Sequence, residues 1–284
     1  MKSNEHILRT RDGRLIAFAL HVPPQGAGGR VLVIAPEAGL EQGFYQPMAT
    51  WCAQQGISVI TFDYRSFGQS ALMQSPHRAD TIRQWANQDL DAVLCHTRHS
   101  FPADEIILLA HGLSGQIAGM AASIEKIDFL ALVGSALHAR RLWPRANRAI
   151  AAMQGLAALP EQVWARRFLP NPEKIPANIA RELFEWSSYP HGFFDLFPDY
   201  NYRRLNVPLL ALNFSDDPHT PRRAIEKLLR HYGPSRMKQL LIRPADFSLK
   251  HIGHNGFFNA GNEKLWCCLV NWLHETSVEK RYFF

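Results

Sequence analysis

The chain has 284 residues, of which 46% are hydrophobic and 20% charged, a composition typical of one globular domain or of a domain with an insertion. No apolar run reaches the roughly 18 residues of a membrane span, and four cysteines without a CxxC spacing make a disulfide framework unexpected. The net charge of +6 accompanies no nucleic-acid-binding motif, so we expect no nucleic-acid partner. The polar N-terminus lacks an apolar signal core, which favours a cytoplasmic protein.

Short apolar, β-branched runs recur along the chain and predict a series of buried strands. In chain order they are 15–23, 30–36, 57–65, 105–111, 128–135, 207–215 and 238–244. Amphipathic segments between them predict helices, notably over 78–99 and in "PRRAIEKLLRHYG" and "NEKLWCCLVNWLHE". Gly56 closes an earlier helix as a C-cap. This alternation predicts a doubly wound, mostly parallel α/β sheet.

Residues 138–204 interrupt the alternation with a stretch rich in aromatic residues, arginine and proline. Proline-bearing turns such as "LPNPEKIP" divide it into short predicted helices. We therefore predict a core formed by residues 1–137 and 205–284, with residues 138–204 inserted as a helical cap.

The segment "EIILLAHGLSGQIAGMAA" (105–122) predicts a strand, a sharp turn, which we call the elbow, and a helix. Such a turn needs small residues two positions before and after its central residue, as in G-x-S-x-G. With Gly112 central, the flanks are Ala110 and Ser114, both small. With Ser114 central, Gln116 would be too large, so sterics favour Gly112. A glycine there tolerates the strained backbone but carries no nucleophile.

Several motifs in the correct order resemble the α/β-hydrolase superfamily, and more closely a group of bacterial predicted hydrolases that are serine-aminopeptidase-like. They are "VIAPEAG", "FYQPMATWCAQQGISVITFDYRSFGQS", "QWANQDLDAVL", "FSDDPHTP", "IGHNGFF" and, for the cap, "IPANIARELFEWSSYPHGFFD". The chain departs from this group at two points. Gly112 stands where the group has its elbow serine, and Ser66 replaces a glycine after Asp63-Tyr64-Arg65.

The resemblance implies a catalytic acid after the seventh strand and a histidine before the last helix. Asp217 fits the spacing to Pro221, with Asp216 as the alternative, and His254 in "KHIGHNGFF" is the expected base. The backbone N–H of Leu113 and one from the Glu37–Gly39 loop, at Glu37 or Ala38, would form the oxyanion hole. The side chain of Glu37 either adds a carboxylate close to this site or faces the solvent.

Other residues of the region have ordinary structural interpretations. Ser114 is a doubtful nucleophile and serves more simply as a small residue that caps the helix. His111 is expected to pack into the sheet. The pairs His251/His254 and His96/His99 have no third ligand at a metal-site spacing. We therefore expect no metal and no cofactor.

The first hypothesis for function is a degenerate hydrolase that binds a small acyl, ester or lactone-like molecule under the aromatic cap. The second is an active esterase that uses Ser114, or water activated by His254 and Asp217. The third is a lyase or another cofactor-free enzyme with His254 as general base, and a scaffold role is the fourth. The sequence leaves the ligand, any protein partner and the oligomeric state open.

Overall fold

A computed structural model describes residues 4–26, 28–74, 80–143, 175–198, 200–233 and 236–282. Much of the predicted cap, residues 144–174, lies outside the described residues. Where the boundaries of the cap fall, and whether it forms a unit of its own, therefore stays a prediction.

An eight-stranded sheet in the order β1-β2-β4-β3-β5-β6-β7-β8 forms the centre of the molecule. Its strands are β1 (Asn4–Arg9), β2 (Leu15–His21), β3 (Arg30–Ala35), β4 (Ser58–Phe62), β5 (Glu105–His111), β6 (Phe129–Val133), β7 (Leu209–Phe214) and β8 (Met237–Ile242). The pairs β1–β2 and β2–β4 are antiparallel. The remaining pairs, from β4 through β3 and β5 to β8, are parallel. This arrangement confirms the predicted fold class.

Helices flank the sheet on both faces. They are α1 (Gln46–Gln54), α2 (Gly68–Leu72), α3 (Ile82–Gln84), α4 (Asp91–Ser100), α5 (Leu113–Ile117), α6 (Ala177–Ser188), α7 (Arg222–Leu229) and α8 (Glu263–Tyr282). Their apolar faces build two buried clusters, one around Trp85, Leu183 and Tyr202 and one around Tyr45, Phe257 and Trp266. No helix in the described part of the chain is long and apolar enough to cross a membrane.

Three local features differ from the predicted elements. β1 was not predicted, because its residues, "NEHILR", are mostly polar and form an exposed edge of the sheet. The helix predicted over 78–99 contains a π-helical turn, Trp85–Leu90, between α3 and α4. The helix after the elbow is only five residues long and continues as short 3-10 turns.

A buried ion-pair network joins the loop after β4 to the π-helical turn. Arg65 is 1% exposed and pairs with Asp89 at 2.7 Å and with Asp12 at 2.6 Å. Ser66, which follows it, has a φ of +69°. Glycine adopts this left-handed conformation more readily than serine does.

Candidate active site

The candidate site lies where the parallel strands end, because their carboxyl ends meet at one edge of the sheet. The loop after β3 brings Glu37, the turn after β5 brings Gly112, and the loop after β7 brings Asp217. His254 comes from the connection between β8 and α8. Residues up to 217 positions apart in the sequence therefore come into hydrogen-bond contact.

Gly112 stands at the tip of the turn between β5 and α5, with φ of +51° and ψ of −114°. This backbone strongly favours glycine. A β-carbon added there would overlap the Glu37 carboxylate and lie 3.1 Å from His254 Nε2. The space that a side chain at position 112 would fill is therefore already taken by Glu37.

The carboxylate of Glu37 is buried, with only 3% of the residue exposed. Its Oε2 accepts a hydrogen bond from Leu113 N–H at 3.0 Å, and its Oε1 accepts one from Ala38 N–H at 2.5 Å. Two of the N–H groups predicted for the oxyanion hole thus already hold an internal anion. The third, Glu37 N–H, donates to the Tyr45 hydroxyl.

His254 lies between two carboxylates. Its Nδ1 is 2.8 Å from Asp217 Oδ2, and its Nε2 is 3.1 Å from Glu37 Oε2. Asp217 also accepts hydrogen bonds from the Thr220 hydroxyl and from His219 N–H. The structure therefore brings together the predicted base and the predicted acid, and adds a second carboxylate where a serine hydroxyl would be expected.

The pKa values in this cluster follow from burial and from mutual attraction. Burial by itself would lower the pKa of His254, but its hydrogen bonds to Asp217 and Glu37 raise it to about 10. Burial would raise the pKa of both carboxyls, and the partner His254 instead holds each below its usual range. The cluster at neutral pH is thus an imidazolium between two carboxylates.

Asp216 contacts the histidine loop without touching His254. Its Oδ2 accepts hydrogen bonds from Ile252 N–H at 2.8 Å and Gly253 N–H at 3.1 Å, and it pairs with His251. Of the two candidate acids, Asp217 alone lies against the ring of His254. Asp216 holds the backbone that presents this ring.

A neutral histidine supports the cluster from behind. His111 Nε2 lies 3.2 Å from the carbonyl oxygen of His254, and Nδ1 lies 3.0 Å from the hydroxyl of Tyr45. Because the carbonyl can only accept, Nε2 carries the proton and Nδ1 accepts from Tyr45. Burial and the charge of His254 lower the pKa of His111 to about 3. The residue packs against the sheet end and fixes the backbones of Glu37 and His254.

Ser114 lies apart from this cluster. Its hydroxyl donates to the carbonyl of Pro36 at 2.5 Å and lies 2.8 Å from the hydroxyl of Tyr64. Both ring nitrogens of His254 are bonded to carboxylates, so no ring nitrogen is left for this hydroxyl. The contacts support a structural role that ties α5 to the loop after β3.

Replacing this serine should therefore lower the stability of the protein without changing how it binds a ligand. For Ser114→Ala we expect the free energy of unfolding in urea to fall by about 1–2 kcal/mol, because a buried hydrogen bond is lost. We expect no change in ligand binding or in reaction with serine-directed probes. If the wild-type chain hydrolyses an ester and Ser114→Ala loses this activity without losing stability, Ser114 is the nucleophile.

His138 and Gln116 form a second polar pair near the site that was not predicted. Gln116 Oε1 accepts from His138 N–H at 2.5 Å and lies 3.2 Å from Nδ1 of the same residue. Burial lowers the pKa of His138 to about 4, so the ring is neutral. The amide nitrogen of Gln116 is buried without a partner. No sequence motif connects these two residues.

Glu37, His111 and His254 place three ligand-type atoms within 4.8 Å of one another. All of these atoms already have protein partners: carboxylates for His254, Tyr45 and a carbonyl for His111, and backbone N–H groups for Glu37. An ion would have to break this set of hydrogen bonds.

An open cleft of about 360 Å³ reaches His254 from the surface. His219, whose ring centroid is 5.4 Å from that of His254, forms part of its wall together with Asn255 and Asn259. The side-chain oxygen of Asn255 is buried without a hydrogen-bond partner in the described structure. The cleft gives a small molecule a polar route to the cluster.

The comparisons with known proteins support the fold. Residues 32–260 match the model of the alpha/beta hydrolase family. No curated protein matches the chain.

Solved structures share the fold at low sequence identity. The alpha/beta hydrolase GrgF from Penicillium sp. sh18 has a TM-score of 0.67 and 14% identity, covering 97% of this chain and 99% of that one. The esterase EaEST from Exiguobacterium antarcticum has a TM-score of 0.62 and 14% identity, covering 95% and 100%. Est816, described as an N-acyl homoserine lactone degrading enzyme, has a TM-score of 0.60 and 17% identity, covering 93% and 98%. With the family match over most of its length and the strand-end site described above, the chain belongs to the alpha/beta hydrolase family.

Proposed function

We propose that this protein binds a small acyl, ester or lactone-like molecule beside Gly112, and that it forms no acyl-enzyme on a serine. The observation that carries the proposal is the occupation of the elbow by Gly112 and the Glu37 carboxylate. Covalent acyl transfer needs an oxygen or sulfur nucleophile at the tip and free N–H donors for the oxyanion. Here a glycine is at the tip, and the donors hold Glu37.

The ligand class in this proposal rests on the family and on the shape of the site. Structural relatives include an esterase and a lactone-degrading enzyme, as their descriptions say. The cleft next to His254 offers polar groups for a carbonyl-bearing molecule. In the described part of the insertion, Trp186, Phe193 and Phe197 pack against one another, and in this proposal that aromatic segment is part of the cap.

The alternatives receive less support from the hydrogen bonds. Hydrolysis through Ser114 would require its hydroxyl to leave Pro36 and Tyr64 for His254. Water activation by His254 would require a free lone pair on Nε2, and that nitrogen faces the Glu37 carboxylate. A lyase with His254 as general base would need the same free lone pair on Nε2, which faces Glu37.

Treatment with a fluorophosphonate followed by intact-mass spectrometry tests the proposal. We expect the unmodified mass for the wild-type chain, with a parallel serine esterase fully labelled as the control. Calorimetric titration with short acyl esters and N-acyl lactones should detect binding that survives Ser114→Ala. Stoichiometric labelling of one serine would overturn the proposal, as would the absence of binding across this panel.

A further inference from the structure

A second cleft lies at the end of the sheet, between helix α7 and strand β8. Its volume is about 490 Å³, which is enough for a small molecule. Ile225 of α7 lies on one side, and Gln239 and Leu241 of β8 lie on the other. The cleft shares no lining residue with the one that reaches His254. It is therefore a separate opening in the surface.

Asn213 of β7 lines this cleft and is buried, with 2% of the residue exposed. Successive residues of a strand point to opposite faces, so its side chain lies on the face of Leu209 and Ala211, which pack in one cluster with Ile225 of α7. Every other residue of β7 is apolar. A leucine at position 213 would continue this pattern, and the asparagine interrupts it.

The side-chain oxygen of Asn213 has no hydrogen-bond partner within the described part of the chain. Buried polar atoms are nearly always paired, because leaving one without a partner lowers the stability of the fold. The asparagine is therefore unfavourable for folding alone. A donor that enters the cleft would remove this penalty, because Asn213 lines the same space.

The charged residues that line the cleft are all paired. Arg222 Nε donates to Glu226 Oε1 at 2.8 Å. Asp217 Oδ2 lies 2.8 Å from His254 Nδ1, on the side of the catalytic cluster. The lining, with these partners, carries no excess charge, which favours a neutral molecule over an ion.

We propose that this cleft binds a small neutral molecule that carries a primary carboxamide, and that Asn213 recognises the carboxamide. The side chain of asparagine has an acceptor oxygen and N–H donors on one planar group. A primary amide presents the same pair, so the two groups can exchange two hydrogen bonds. An ester or a carboxylate has no donor for Asn213 Oδ1. The apolar part of the ligand lies against Ile225 and Leu241.

This site goes beyond the proposed function, since it uses neither Gly112 nor the cleft at His254. A proton–nitrogen NMR titration with benzamide tests it. We expect the side-chain amide of Asn213 to shift saturably as benzamide is added. N,N-dimethylbenzamide keeps the ring and the carbonyl but has no N–H, so it should bind at least about 10-fold more weakly.

Two results of this titration would overturn the proposal. One is equal affinity for the two amides, because the cleft would then select only for an apolar ring. The other is the absence of a saturable shift at Asn213 with benzamide, which would leave water as the partner of the oxygen.

Asn213→Leu removes the acceptor and continues the apolar pattern of β7. We expect benzamide binding to be lost, while the midpoint of thermal unfolding stays equal to that of the wild type or rises, because no unpaired polar atom is left. Asn206→Leu is the matched control, since Asn206 is exposed and precedes the start of β7. Binding that persists in Asn213→Leu, or is lost equally in Asn206→Leu, would contradict the assignment.

If Asn213→Leu is unstable, Leu241→Trp tests the cleft with Asn213 in place. Leu241 is 57% exposed, so the larger ring can be accommodated without disturbing the core, and it should narrow the cleft and weaken benzamide binding. Unchanged affinity in this variant would contradict the proposal. Serine labelling by a fluorophosphonate would refute the proposed function and leave the amide titration standing.

Discussion

A chain that carries both Glu37→Ala and Gly112→Ser is expected to react with a fluorophosphonate and to gain the mass of one phosphonyl group. The first change removes the carboxylate and frees Leu113 N–H and Ala38 N–H. The second places a hydroxyl close to His254 Nε2, from which an added β-carbon would be 3.1 Å away. His254, paired then only with Asp217, can accept its proton.

The two single variants are the matched controls. Glu37→Ala opens the donors but supplies no nucleophile, so it should not be labelled. Gly112→Ser alone would force the new side chain onto the Glu37 carboxylate, so we expect loss of stability. The strained backbone at this position should lower the stability of a serine variant by about 1–3 kcal/mol more. A stable double variant that stays unlabelled would contradict our view that the remaining catalytic groups are in place.

The largest effect on stability is expected for Asp89→Ala. This change leaves the guanidinium of Arg65 buried with Asp12 as its remaining carboxylate. Removing one partner of a buried ion pair costs about 3–5 kcal/mol. For a domain of this size we expect the midpoint of thermal unfolding, followed by circular dichroism, to fall by roughly 10 °C.

Glu275→Ala is the control for that experiment. It removes an ion pair to Lys238 in which both side chains are largely exposed. Exposed pairs contribute about 0–1 kcal/mol, so the midpoint should hardly move. Equal effects of the two substitutions would show that burial of Arg65 does not make its ion pairs important.

The amino-acid sequence alone determined the fold class and the positions of seven strands along the chain, because hydrophobic periodicity reports which residues are buried. It also placed Gly112 at the centre of the elbow, since only that register has small flanks. The motifs around Asp217 and His254 identified two members of the cluster. The same periodicity did not predict the edge strand β1, because an exposed strand carries no apolar pattern.

Tertiary structure alone decided what stands beside Gly112. Glu37 and Gly112 are 75 positions apart, and nothing in either local sequence says that one side chain fills the space of the other. The choice between Asp216 and Asp217, and the partners of Ser114, likewise depended on contacts between distant loops. Periodicity describes which face of an element is buried, whereas the protonation and role of a buried side chain depend on groups that only folding brings within hydrogen-bond distance.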